Sequence, residues 1–107
     1  MYDLSAMDFE LVENTDGYTA ASTLLKFDSS SDPYRATYIG PNLKFGQAIV
    51  SEYEMLYHAV NAEGSMSCGY AKVSFDVSEG STEMILNWQW LTGDKSSGVS
   101  RWRYIAT

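Results

Sequence analysis

Gln47-Ala-Ile-Val-Ser-Glu-Tyr-Glu-Met-Leu-Tyr-His-Ala-Val-Asn-Ala-Glu63 decides the fold class, because it reads in two ways. At roughly 100° per residue, Ile49, Tyr53, Leu56, Tyr57 and Val60 gather on one side of a helix. Ser51, Glu54, His58 and Asn61 fall on the other side, and Gly64 stands where a C-cap belongs. The Ala, Glu, Met and Leu content also favours helix. The competing reading is a hairpin, with strand 45–50, turn Ser51-Glu-Tyr-Glu54 and strand 55–60. Periodicity alone favours a helix over 46–62, which makes the chain α+β, an antiparallel sheet packed on one helix.

Outside that stretch the pattern is extended. Apolar segments occupy Met7–Val12, Tyr18–Phe27, Tyr34–Ile39, Phe45–Val50, Met55–Val60, Tyr70–Val77, Glu83–Leu91 and Val99–Ile105. Turn-forming clusters separate them, such as Asn14–Gly17, Asp28–Pro33, Gly40–Asn42 and Thr92–Gly98. About eight short strands at this spacing describe an antiparallel sandwich or barrel. The clearest alternation is Tyr70-Ala-Lys-Val-Ser-Phe-Asp-Val77, with Ala71, Val73, Phe75 and Val77 on one face. Ser78-Glu-Gly-Ser81 then reads as a hairpin turn, in which Gly80 takes positive φ. On the next strand Leu86, Trp88 and Trp90 share a face; on the last, Trp102 and Tyr104 do, with Arg101 and Arg103 opposite.

From Tyr34 onward the order becomes more specific. Tyr34-Arg-Ala-Thr-Tyr38 is followed by Phe45-Gly46, Met55-Leu56, Gly69-Tyr-Ala-Lys-Val-Ser-Phe75 and Leu86-Asn-Trp-Gln-Trp90. This succession resembles small calycin-like up-and-down barrels of bacteria, related in fold to lipocalins and avidins, and spans about 75 of the 107 residues. The resemblance implies a mainly β fold, an antiparallel meander closing into a small barrel of about eight strands, with residues 45–60 as a hairpin. Two positions depart from the pattern: Trp88 stands where a small residue is usual, and Tyr38 where Trp is expected. Both bear on the size of the interior.

A single domain over 1–107 is the expectation for this length. Fourteen acidic against seven basic residues give a net charge of −7, with 45% hydrophobic residues. Such a field repels phosphate backbones and anionic membrane surfaces, so neither nucleic acid nor a membrane is expected as partner. It serves solubility, or favours a basic protein partner. Cys68 is the sole cysteine, and there is no signal-like segment or apolar span, which leads to a cytoplasmic expectation.

Reactive constellations are scarce. His58 is the one histidine, and Glu54, four residues away, adjoins it only on a helix. Cys68 shows no neighbour that would lower its pKa and reads as a small buried residue. Asp28-Ser-Ser-Ser-Asp32 opens like a calcium loop, yet lacks Gly at its sixth position and Glu at its twelfth, and reads as a solvated loop. With one Cys and one His a zinc site is not expected. No phosphate-loop glycine motif occurs. No cofactor, metal ligand or catalytic residue is assigned.

Aromatic side chains carry the remaining signal, for all three tryptophans lie in the last 24 residues. Tyr34, Tyr38, Trp88, Trp90, Trp102 and Tyr104 are the candidate ligand-binding residues. With Tyr57 they form an aromatic cluster of large apolar bodies with polar tips, which either fill a core or line a pocket or contact patch. Arg101 and Arg103 around Trp102 make either an exposed interface strip or an answer to the acidic surface. The leading expectation is a non-enzymatic binding protein, taking a small apolar or aromatic ligand inside the barrel or a partner on an aromatic patch. Alternatives are a small acidic inhibitor or adaptor on a basic protein, and a lyase or isomerase using His58 or a desolvated carboxylate. An open sheet edge would also permit a homo-oligomer.

Overall fold

The computed structural model describes residues 3–15, 22–78, 80–93 and 95–105. Its strands are β1 (Asp8–Asn14), β2 (Leu24–Phe27), β3 (Tyr34–Ile39), β4 (Leu43–Ser51), β5 (Glu54–Asn61), β6 (Met66–Ser78), β7 (Ser81–Trp90) and β8 (Ser97–Ile105). Each pairs antiparallel with the next, and β8 pairs with β1, so the sheet closes into a barrel. Closure leaves no open edge among the described strands, and the edge-driven self-association expected for an open sheet has no basis there. The described part of the chain contains no helix.

The deciding stretch is therefore a hairpin, as the barrel reading implies, and the alternative helix over 46–62 that periodicity alone favours is not formed. Gln47 pairs with His58, Ile49 with Leu56 and Ser51 with Glu54 across β4 and β5. The two turn residues, Glu52 and Tyr53, take φ of 51° and 65°. Both central positions of a two-residue turn must be left-handed to match the strand twist, which usually calls for Asn-Gly. Here two ordinary residues carry the strain, and the neighbouring ladder holds them: Val73 N–H donates to Tyr53 O at 2.8 Å.

The inner face follows the period-two rule. Ala48 and Val50 on β4, Met55 and Ala59 on β5, Ala71 and Val73 on β6, and Leu86, Trp88 and Trp90 on β7 are buried. The side that looked helical is split by the pleat, with Ile49 41% and Leu56 55% exposed on the outer wall and Tyr57 turned inward. Trp102 is wholly buried at the centre. An aromatic side chain of this size contributes about 4–6 kcal/mol by area, an upper bound. The segment before β1 packs Leu4 and Met7 under one end of the barrel. It is tied to the end of β2, where Ala6 N–H donates to Asp28 O at 2.8 Å and Phe27 N–H to Met7 O at 2.9 Å.

Local departures from the expected strands have physical causes. β2 covers only the end of the expected 18–27 segment; residues 18–21, and Asp16 and Gly17 of the expected turn, lie outside the described residues. The β6–β7 hairpin runs past the barrel rim, so Val77, expected on the inner face, is 63% exposed. Gly80 has φ of 80°, as its turn requires, while Glu79 lies outside the described residues. Arg101 and Arg103 point outward and answer acids rather than forming an exposed strip with Trp102. Arg101 Nη2 meets Glu83 at 2.6 Å and Asp76 at 3.3 Å, and Arg103 Nη1 lies 3.9 Å from Glu10.

Candidate functional site

The end of the barrel opposite Leu4 is not filled. There the ends of β3, β5 and β7 meet the starts of β4 and β6, and a cavity of about 430 Å³ opens between them. Tyr38, Tyr57, Trp88 and Trp90 line it, with Leu43 and Met66; Thr23, Asn42, Asn61, Glu63, Ser67 and Thr92 supply polar groups. Leu43 reaches the cavity because a bulge between Leu43 and Phe45 breaks the alternation of β4.

Tyr57 is the hub of the rings. Its centroid lies 5.5 Å from Tyr38, 4.9 Å from Trp88 and 5.0 Å from Trp90, at 59°, 63° and 71° respectively. Inclined and edge-on contacts of this kind match the ring quadrupoles. Trp88 and Trp90 stack at 5.3 Å and 9°. The cluster fits because β6 carries no side chain beneath it. A Cβ on Gly69 would stand 3.0 Å from Tyr57 Cε1 and 3.1 Å from Trp90 Cε3, tight enough that both rings would have to give way by a few tenths of an ångström.

A second layer sets the rings from below. Buried Ser100 Oγ accepts from Trp88 Nε1 at 2.8 Å and from Trp102 Nε1 at 2.9 Å. One hydroxyl thus satisfies two indole donors, and fixes Trp88 relative to the core. Trp102 lies edge-on to Tyr38 at 5.6 Å. Tyr38 Oη donates to Met55 Sδ at 3.3 Å. Burial, with the Tyr57 hydroxyl adding, holds the Tyr38 phenol well above its ordinary value, so it stays neutral. At the rim, Asn61 Oδ1 accepts from the N–H groups of Glu63 and Ser65 at 3.0 and 2.9 Å, ordering the β5–β6 turn. Thr92 Oγ1 accepts from Cys68 N–H at 3.2 Å and ties the β7–β8 loop to β6.

The six residues expected from the sequence divide by height along the barrel. Tyr38, Trp88 and Trp90 line the cavity, and Trp102 lies beneath Tyr38. Tyr34 and Tyr104 do not join them. Tyr34 sits at the far end of β3, where partial burial and then the Asp3 and Asp32 carboxylates raise its phenol. Tyr104, 37% exposed, packs on Phe9 at the closed end. Tyr57 belongs to the aromatic cluster read from the sequence but is not among its six candidate binding residues. Its signal was present, since the hairpin reading puts Tyr57 on the inner face with Met55 and Ala59.

Other residues singled out from the sequence lie elsewhere. His58 is exposed on the outer wall, its ring 5.4 Å from Phe45 and away from the cavity. Glu54, its proposed helical neighbour, instead accepts from Tyr70 Oη and from Lys72 Nζ at 3.0 Å. Tyr70 and then Glu54 push Lys72 up to about 12. Cys68 is half-buried on the outer face of β6 rather than in the core. The 28–32 segment is an exposed turn in which Asp28 Oδ1 accepts from Ser30 N–H at 2.8 Å. Among the described residues no three His, Cys, Asp or Glu side chains gather to hold a metal.

Compared with known proteins, the chain is matched over residues 2–105 by a family described as Avidin-like protein. No curated protein and no solved structure gives a significant match.

Proposed function

The chain belongs to the avidin-like family, and from that premise we propose that its barrel mouth holds a small ligand without transforming it. One observation carries the reading: a barrel packed solid at one end leaves about 430 Å³ open at the other, walled by four aromatic rings. Apolar walls with a few polar groups at the rim are the usual make-up of a small-ligand site. The lining groups are indoles, neutral phenols, amides and hydroxyls, which suit holding a ligand rather than moving its protons. Glu63, the one carboxylate among the described lining residues, is exposed. The rings are set by Ser100, Gly69 and Met55, so the site is formed before a ligand arrives and loses little conformational entropy on binding.

A tryptophan-fluorescence titration tests this directly, because Trp88 and Trp90 stand in the wall. A panel of small neutral, cationic and anionic compounds, biotin among them, is added to the protein and to Trp90→Leu. A saturable change in the protein, weakened at least about tenfold in the variant, is expected. No saturable change with any compound sinks the reading.

A further inference from the structure

The charge of the ligand follows from what surrounds the same cavity. Among its described lining residues Glu63 alone carries charge, and no Lys, Arg or His is present. Five of the seven basic residues are held in ion pairs: Lys26 with Asp8, Arg35 with Asp28, Lys72 with Glu54, Arg101 with Glu83 and Arg103 with Glu10. The other two, Lys44 and Lys95, are exposed and line no part of the cavity. Both stand beside lining residues at the open end, Lys44 after Leu43 and Lys95 two residues beyond Gly93, so the charge inside the cavity is set by Glu63 and the ring faces rather than by the net −7 of the chain. Building on the binding reading above, we propose that the mouth selects an organic cation, an alkylated ammonium carried on a small apolar body.

The rings explain why alkylated. The faces of Trp and Tyr attract a cation through their quadrupole, and this attraction grows as water is excluded. A primary ammonium brings three N–H donors that the indole walls cannot accept, so it would stay at the rim with Glu63, the amides and the hydroxyls. A fully alkylated nitrogen brings none and sheds its water easily. A carboxylate or phosphate would face Glu63 and the negative ring faces, with no Lys, Arg or His among the described lining residues to meet it.

Three probes of one shape separate these terms: choline, the uncharged alcohol in which carbon replaces its nitrogen, and the carboxylate bearing the same tert-butyl group. Each is titrated by tryptophan fluorescence and calorimetry at low salt. Choline is expected to bind about tenfold tighter than the alcohol, with the carboxylate weakest. Glu63→Gln is expected to reduce choline's lead over the alcohol about threefold, and added salt to do the same. If the alcohol or the carboxylate binds as tightly as choline, the cation proposal is overturned while the binding reading stands. If none of the three binds and the wider panel is also silent, both fall. If the panel yields a ligand but choline does not bind, only the cation proposal falls.

Discussion

The two ends of the barrel use the same eight strands to opposite effect. At one end Leu4, Met7, Phe9 and Phe27 close the interior; Phe9 meets Phe27 edge-on at 6.0 Å and is wholly buried. The segment before β1 serves as the plug. At the other end Tyr38, Trp88 and Trp90 are themselves buried, yet with Tyr57 they leave a cavity beside them instead of closing the interior. Aromatic residues occur at both ends, so composition does not distinguish core from site. The distinction lies in what fills the space between the rings: a plug below, an opening above. Stability is expected to reside in the first end and recognition in the second.

The most forceful way to test that division is Phe9→Ala. It removes a wholly buried ring and is expected to cost about 3–5 kcal/mol in urea unfolding, without weakening ligand binding in the molecules still folded. Equal loss of both would break the contrast between the ends. Ser100→Ala probes the layer that joins them. It strands the Nε1 groups of Trp88 and Trp102 in a buried place, with an expected cost of about 2–4 kcal/mol and a shifted tryptophan emission. Gly69→Ala acts on the mouth alone. The added methyl displaces Tyr57 and Trp90, with about 1–3 kcal/mol lost in stability and the fluorescence titration abolished.

Titration of Tyr38 gives a smaller and pH-gated effect. Its folded phenol lies well above the ordinary value near 10, so the folded state keeps a proton that the unfolded state releases. Its contribution is therefore complete below about pH 10. It declines as pH rises toward the folded value, by about 1.4 kcal/mol per pH unit. Urea midpoints on either side of pH 10 check this, and Tyr38→Phe should flatten the decline, leaving the part due to Tyr34. The least effect, and the opposite sign, belongs to the β4–β5 turn at the closed end. Glu52→Asn with Tyr53→Gly relieves two left-handed residues and is expected to add about 1 kcal/mol, a rise of roughly 4–8 °C in Tm, with the mouth unaltered.

That turn also explains where the sequence misled. A hairpin is usually announced by Asn-Gly or Asp-Gly, and Glu52-Tyr53 announces nothing. Meanwhile Ile49 and Leu56, paired across β4 and β5, put apolar residues on the outer wall, so both faces of the hairpin look hydrophobic and a helical period emerges by chance. The meander resemblance, carried by Gly69–Phe75 and Leu86–Trp90, pointed correctly to a barrel because those strands keep strict alternation. Alternation reports inside or outside, never depth. Tyr34 and Tyr38 share a face, yet lie about 13 Å apart along one strand. One belongs to the closed end and the other to the cavity. Depth was legible only after pairing was known, which is also why Tyr57, though one of the aromatic cluster, did not stand out as its centre. The bulge that swings Leu43 inward left no mark in the sequence.

The seam between β1 and β8 has a consequence for how the molecule comes into being. Every other strand pairs with a neighbour across a short loop, so seven of the eight ladders can zip up as the polypeptide lengthens. The eighth joins Asp8 to Ile105 and must wait for nearly the whole chain. Until then β1 and β7 each present a naked row of amides, open to strangers. Any copy that stalls before Ser97 stays an unsealed cylinder, with Trp102 missing from its axis and Trp88 without the Ser100 hydroxyl that fixes it.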